Sequence, residues 1–153
     1  MIRDMTTGSE RNFDLNRKFI ADVTFSPDGK LFAEASDLGQ AKLWEATTLE
    51  EVETIRGFLL GTHSVAFSPD GKRLAISSNG IEAIKLWDGD VKNRQELLTL
   101  EGEGSFFYRT AFSPDGNSLG SMTARGVLHF WHAPSWEEIA DAEAMEKTES
   151  KKP

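Results

Sequence analysis

FSPDG stands at residues 25–29, again at 67–71 and again at 112–116. The second copy follows the first by 42 residues and the third follows the second by 45. A tryptophan keeps step with it: Trp44, Trp87 and Trp131 lie 19, 20 and 19 residues beyond the respective Phe25, Phe67 and Phe112. Two independent markers at one period define a repeat unit rather than a chance similarity.

Working outward from the marker, each unit reads as short strands separated by turns. Asp22-Val23-Thr24, His63–Ala66 and Tyr108–Ala111 lead into the marker Phe as strands. Ser-Pro-Asp-Gly then makes a tight turn, with Pro presetting φ and Gly taking the left-handed conformation that side chains resist. A second strand holds Leu31–Ala33, Leu74–Ile76 and Leu119–Met122. A third, the best preserved, reads Ala41–Trp44, Ile84–Trp87 and Leu128–Trp131. A more polar fourth strand follows twice, at 51–55 and 95–100. Apolar or small residues occupy both alternating faces of the inner strands, as two-sided burial between stacked sheets requires.

Composition narrows the function. The chain has 153 residues, 39% of them hydrophobic and 27% charged, so it is globular rather than disordered. A formal charge of −8 gives no general attraction to nucleic acid or anionic lipid. The absence of cysteine removes disulfides, thiolate chemistry and cysteine-type zinc sites, and it suits a reducing, cytoplasmic setting. No run approaches the length of about 18 apolar residues that spans a membrane, and residues 1–16 carry no signal-peptide core.

No chemistry-bearing constellation emerges. Asp28, Asp70 and Asp115 sit in equivalent turns of different units, too far apart to cooperate, and read as turn formers. His129 and His132 fall on opposite faces of one strand, so with His63 they make no metal site. No phosphate loop, nucleophile elbow or HExxH pattern is present. No catalytic residue, metal or cofactor is expected.

A four-stranded unit of this length, closed by Trp on its third strand, resembles the WD-repeat β-propeller, and the density of FSPDG resembles the bacterial members of that family. The likeness covers residues 2–134. It implies an all-β fold of three four-stranded blades: 16–56, 57–101 and 102–134, preceded by an outer strand within 1–15. It also implies a blade core of Phe25, Trp44, Phe67, Trp87, Phe112 and Trp131. Departures are clear. Trp-Asp survives only at Trp87-Asp88, the family His is never present, and the family Asp is replaced by Leu38, Ile81 and Arg125. The buried Asp-His-Ser-Trp network of the family is therefore expected to be missing, with Asp37 one position away as a partial substitute. After Trp131 no fourth strand follows; Ser135 and Glu138 form a capping box, which predicts a helix over 135–145 and a frayed tail to 153.

Three blades are fewer than the usual closed ring of about 4–8. They would leave apolar residues such as Val23 and Leu128 bare on the two end faces. The expectation is either a longer propeller of which this is part, or a homo-oligomer closing a ring, with residues 1–15 supplying the outer strand missing after Trp131 within one chain or between chains. The family implies binding on the face built by inter-blade turns and second-to-third-strand turns. There the chain carries His63, then Phe106, Phe107, Tyr108 and Arg109, then Arg125, and aromatic and Arg clusters anchor interfaces. The alternative for Phe106 and Tyr108 is that they merely begin a buried strand. The function expected is a non-catalytic protein-interaction scaffold. The rivals are an assembly element that completes a ring, and a propeller enzyme or small-molecule sensor.

Overall fold

A computed structural model describes residues 2–3, 5–11, 19–36, 38–58 and 60–133. The expected helix over 135–145, the tail, and the positions Asp37 and Leu59 lie outside them. The described chain is all β: β1 (Ile2–Arg3), β2 (Glu10–Arg11), β3 (Ile20–Phe25), β4 (Leu31–Ser36), β5 (Gln40–Glu45), β6 (Glu51–Ile55), β7 (Ser64–Phe67), β8 (Arg73–Ser77), β9 (Asn79–Asp88), β10 (Glu96–Phe112), β11 (Ser118–Thr123) and β12 (Leu128–His132). Val91–Asn93 adds one 3-10 turn.

The first repeat unit is the antiparallel sheet β3-β4-β5-β6, in chain order. Its FSPDG turn closes as the sequence requires. Gly29 takes φ +70°, and its N–H donates to the Ser26 carbonyl at 2.9 Å. The Ser26 hydroxyl donates to Asp28 at 2.7 Å and accepts from the Leu31 N–H at 2.9 Å. Ser68–Asp70 and Ser113–Asp115 repeat the device in the other units. The Ser hydroxyl bond, followed by a backbone N–H bond, holds all three carboxyl groups below their ordinary value.

The second and third units depart from separate four-stranded sheets. They merge into one six-stranded sheet ordered β12-β11-β10-β9-β8-β7. The expected boundary between residues 101 and 102 falls inside β10, whose 17 residues pair with β9 as far as Phe106 and with β11 from Phe107. No proline interrupts this stretch, and Gly102 and Gly104, the latter at φ +74°, let it curl with register shifts instead of ending. The N-terminal outer strand is not found on β12. β2 pairs with β1 in a small hairpin, and the far edge of β12 meets no described strand.

Two apolar layers hold the stack. Ala33, Ala35, Ala41, Leu43 and Ile55 of the first unit meet Val65, Leu74 and Ile76 of the second, with Phe67 and Trp87 packed alongside. Ala75, Ala83 and Ile84 meet Phe107 and Leu119, with Phe112 and Trp131 alongside. The marker Phe and the Trp of each unit therefore face the preceding unit. Trp44 is buried, stacked on Phe32, but Phe25 is 64% exposed and is not core: no described unit precedes it. Leu128 is 68% exposed at the opposite end, and Val23 and Phe130 are bare as well. The Trp87 indole Nε1 is buried without an acceptor, as expected once the family's polar network is lost.

Side chains tie the first sheet to the second. Thr62 Oγ1 donates to the Ser36 and Gln40 carbonyls and accepts from the Ser36 N–H at 2.9 Å. Arg94, almost wholly buried, donates through Nε to Glu53 of β6 at 2.6 Å and through its other nitrogens to the Asp88 and Gly89 carbonyls. Breaking such a pair by Arg94→Ala is expected to cost about 2–3 kcal/mol, below the range for fully buried pairs because Glu53 keeps some contact with water. Urea denaturation would show it, and a loss under about 0.5 kcal/mol would make Arg94 an ordinary surface residue.

Candidate protein-interaction face

The turns that connect sheets and the turns between second and third strands share one edge of the stack. His63 enters that edge just before β7, held by its N–H on the Ser77 carbonyl at 3.0 Å and by its Nε2 on the Asn79 side chain. β10 brings Phe106 and Tyr108 beside it. The His63 ring lies 5.4 Å from Phe106 and 5.5 Å from Tyr108, and the latter two stack at 6.1 Å with a 10° tilt. Phe106 is 44% and Tyr108 48% exposed, so neither starts a buried strand. The Ala124 N–H donates to the Phe106 carbonyl at 2.9 Å, which sets the β11–β12 turn and exposed Arg125 next to the cluster.

Phe107 is a correction. It is fully buried, packed against His129 and Trp131, and cannot meet a partner. Successive residues of a strand point to opposite faces, so Phe106 and Tyr108 are the pair that reaches solvent.

Leu38 and Leu60 are also exposed on these turns, as is Ile81 near the start of β9. Leu38 and Ile81 stand where the family Asp would close a buried network. The first turn sits hard against Leu60: a Cβ on Gly39, at φ +69°, would come within 2.7 Å of the Leu60 carbonyl oxygen.

Arg109 points elsewhere, into a cleft of about 500 Å³ walled by the inner strands β3, β7 and the end of β10. Asp22 lies in the same cleft, its carboxylate accepting from the Ser64 hydroxyl at 2.7 Å and the Val65 N–H at 3.1 Å. Ser64 Oγ accepts in turn from the Thr110 N–H at 3.1 Å, so one polar chain crosses all three units. Asp22 is engaged in holding strands together. Among the described residues no three of His, Asp and Glu converge as metal ligands would.

No protein-family model matches the chain. Similar proteins exist nonetheless. The chain is 30% identical over 118 residues to the WD repeat-containing protein SL1-17 of Schistosoma mansoni, covering 76% of this chain and 38% of that protein. It is 26% identical over 109 residues to the human WD repeat and SOCS box-containing protein 1, covering 71% of this chain and 25% of that protein. It is 34% identical over 86 residues to the bovine WD repeat-containing protein 1, covering 54% and 14% of the two chains. The chain therefore spans about a quarter to two-fifths of the first two relatives. Among solved structures, that of U3-55K superposes with a TM-score of 0.68 at 20% identity, over 76% of this chain and 37% of the other; that likeness speaks for the fold. Repeat spacing, stacked antiparallel units and these relatives meet in one conclusion: this is a chain of WD repeats with a β-propeller-like fold.

Proposed function

We propose that the chain is a non-catalytic protein-interaction scaffold whose partner docks on the edge carrying His63, Phe106 and Tyr108. The observation that carries this reading is the exposed ring cluster. Three rings pack on one another at 5.4–6.1 Å, so their shape is set before any partner arrives and little side-chain entropy remains to be lost on binding. Arg125 adds a guanidinium group with no ion pair among the described residues, whereas Arg109 lines the cleft and stands apart from this edge. Aromatic and Arg anchors of this kind suit a protein partner, and the net charge of −8 argues against nucleic acid or a membrane surface. The enzyme or sensor reading draws no support from the cleft, whose carboxylate is committed to Ser64 and Val65. The cysteine-free composition fits work in the cytoplasm.

The test is a paired variant, Phe106→Ser with Tyr108→Ser. Partners cross-linked to the wild-type chain in its own cell extract should be lost from the variant, with affinity of a purified partner falling at least about tenfold, as removal of two interface anchors implies. The melting temperature should stay put. Retention of all partners by a folded variant would defeat the reading.

A second reading, the assembly element, is favoured by a separate observation: the bare end faces at Phe25 and at Leu128 and Phe130.

A further inference from the structure

The position three residues before the marker Phe holds Asp22, Ser64 and Arg109 in the three units. In the first two units this residue is an acceptor that catches the inner strand of the next unit. The Asp22 carboxylate accepts from the Val65 N–H at 3.1 Å, and Ser64 Oγ accepts from the Thr110 N–H at 3.1 Å. Each of those N–H groups belongs to the residue just after the same position, one unit on. Arg109 breaks the pattern. A guanidinium donates through five N–H groups and accepts nothing, so it cannot continue the chain of acceptors.

The charges in the cleft are unevenly matched. Among the described residues, Asp22 and Arg109 are its only charged lining side chains. Asp22 is already met by three donors: the Ser64 hydroxyl, the Val65 N–H and, at 2.9 Å, the Val23 N–H. Arg109 is exposed and makes no ion pair among the described residues. The cleft therefore presents one uncompensated charge, and it is positive although the chain as a whole carries −8. At about 500 Å³ it has room for an inserted side chain. Tyr108 joins it to the ring cluster: the same residue lines the cleft and packs on His63 and Phe106.

We propose that the protein partner docked on His63, Phe106 and Tyr108 inserts an aspartate or glutamate side chain into the cleft, where its carboxylate pairs with Arg109. This deepens the function proposed above and rests on it. The planar guanidinium fork matches a carboxylate through two parallel N–H bonds, which fixes direction as well as strength. One guanidinium balances one carboxylate, whereas a polyphosphate would set several further charges against an acidic chain. The spacing follows from the strand. Consecutive Cα atoms lie about 3.8 Å apart, so the acidic residue belongs within about two positions of the apolar residue that covers the rings. The rings supply the anchor, and Arg109 selects which apolar segments are accepted.

A randomised library of soluble ten-residue peptides, selected on the full chain, tests this. The wild type should enrich peptides that carry Asp or Glu within about two positions of an apolar residue. A selected peptide should lose at least about tenfold in affinity to Arg109→Glu, the loss expected when a hydrogen-bonded charge pair across an interface is broken. Selection repeated on Arg109→Glu should replace the acidic residue by Lys or Arg while keeping the apolar one. If Arg109→Glu does not fold, Arg109→Gln serves, and its selection should keep the apolar position and lose the charge preference. Apolar enrichment that needs Phe106 and Tyr108 but ignores Arg109 would overturn this proposal and leave the docking edge standing. A melting temperature raised by citrate in the wild type and not in Arg109→Gln, with no acidic residue enriched, would assign the cleft to a free anion and overturn it too. Peptides held equally by the Phe106→Ser, Tyr108→Ser double variant would instead remove the docking edge, and this proposal with it.

Discussion

Phe107→Ala will lower the unfolding free energy by about 3–5 kcal/mol, while Phe106→Ala and Tyr108→Ala, its neighbours on β10, will each change it by less than about 1 kcal/mol. The contrast follows from one strand's alternation. Phe107 is fully enclosed by Ala83, Ile84, Leu119 and the rings of His129 and Trp131. Its ring also sits against Gly102, where even a methyl group would collide with it at 2.5 Å. Truncation there opens a cavity in a layer that other side chains cannot reach across to fill. Its two neighbours give up surface that water already touches. Equilibrium urea denaturation of the three variants decides the matter, and equal losses at all three would mean that β10 is phased wrongly.

Trp87→Ala will cost a similar amount, about 3–5 kcal/mol. The indole packs into the layer between the first and second units, against the face formed by Leu74 and the alanines of β4 and β5. Its N–H makes no hydrogen bond, so all of its contribution is packing. Trp87→Phe, which keeps a ring and loses an unsatisfied donor, should therefore recover most of the loss, leaving about 1–1.5 kcal/mol. A Trp87→Ala loss below about 1 kcal/mol would put the indole outside the stack. So would a Phe variant no better than the Ala one, by showing that the N–H matters.

The turns and the stacking were readable because they depend on local chemistry. Ser26, Pro27, Asp28 and Gly29 make their turn among themselves, and the tryptophans mark the third strand wherever the fold repeats. Phe107 was not readable from its neighbours. A period of two gives alternation but not phase, and β10 shifts register between Phe107 and Arg109 and again before Ser105. The fusion of two sheets through β10 was hidden for a related reason: Gly102 and Gly104 look like loop residues, yet they bend a strand without ending it. Contacts such as Asp22 with Ser64 join residues 42 positions apart and depend on how two sheets lean together, which no single repeat encodes. Phe25 is not core, with no described unit before it, although its place in the repeat is the same as that of Phe67.

The continuous β10 leaves the three described repeat units with one strandless joint, between the first and the second. Across the second and third units one backbone ladder, shifted in register along β10, runs from β7 to β12, so a torque on one is carried by the other. Between the first and second units the main chain passes through strandless residues 56–58 and 60–63, and beside the apolar layer and the Thr62 N–H on the Ser36 carbonyl, what resists shear there is a set of side chains: Thr62 under the β4–β5 turn, Arg94 on Glu53, and Asp22 on Ser64. Rigidity at one seam is written into the peptide backbone and belongs to any sequence that keeps the strand. Rigidity at the other is adjustable, because each of those three clamps is one substitution away from being loosened, and loosening any of them leaves every strand of both sheets in place.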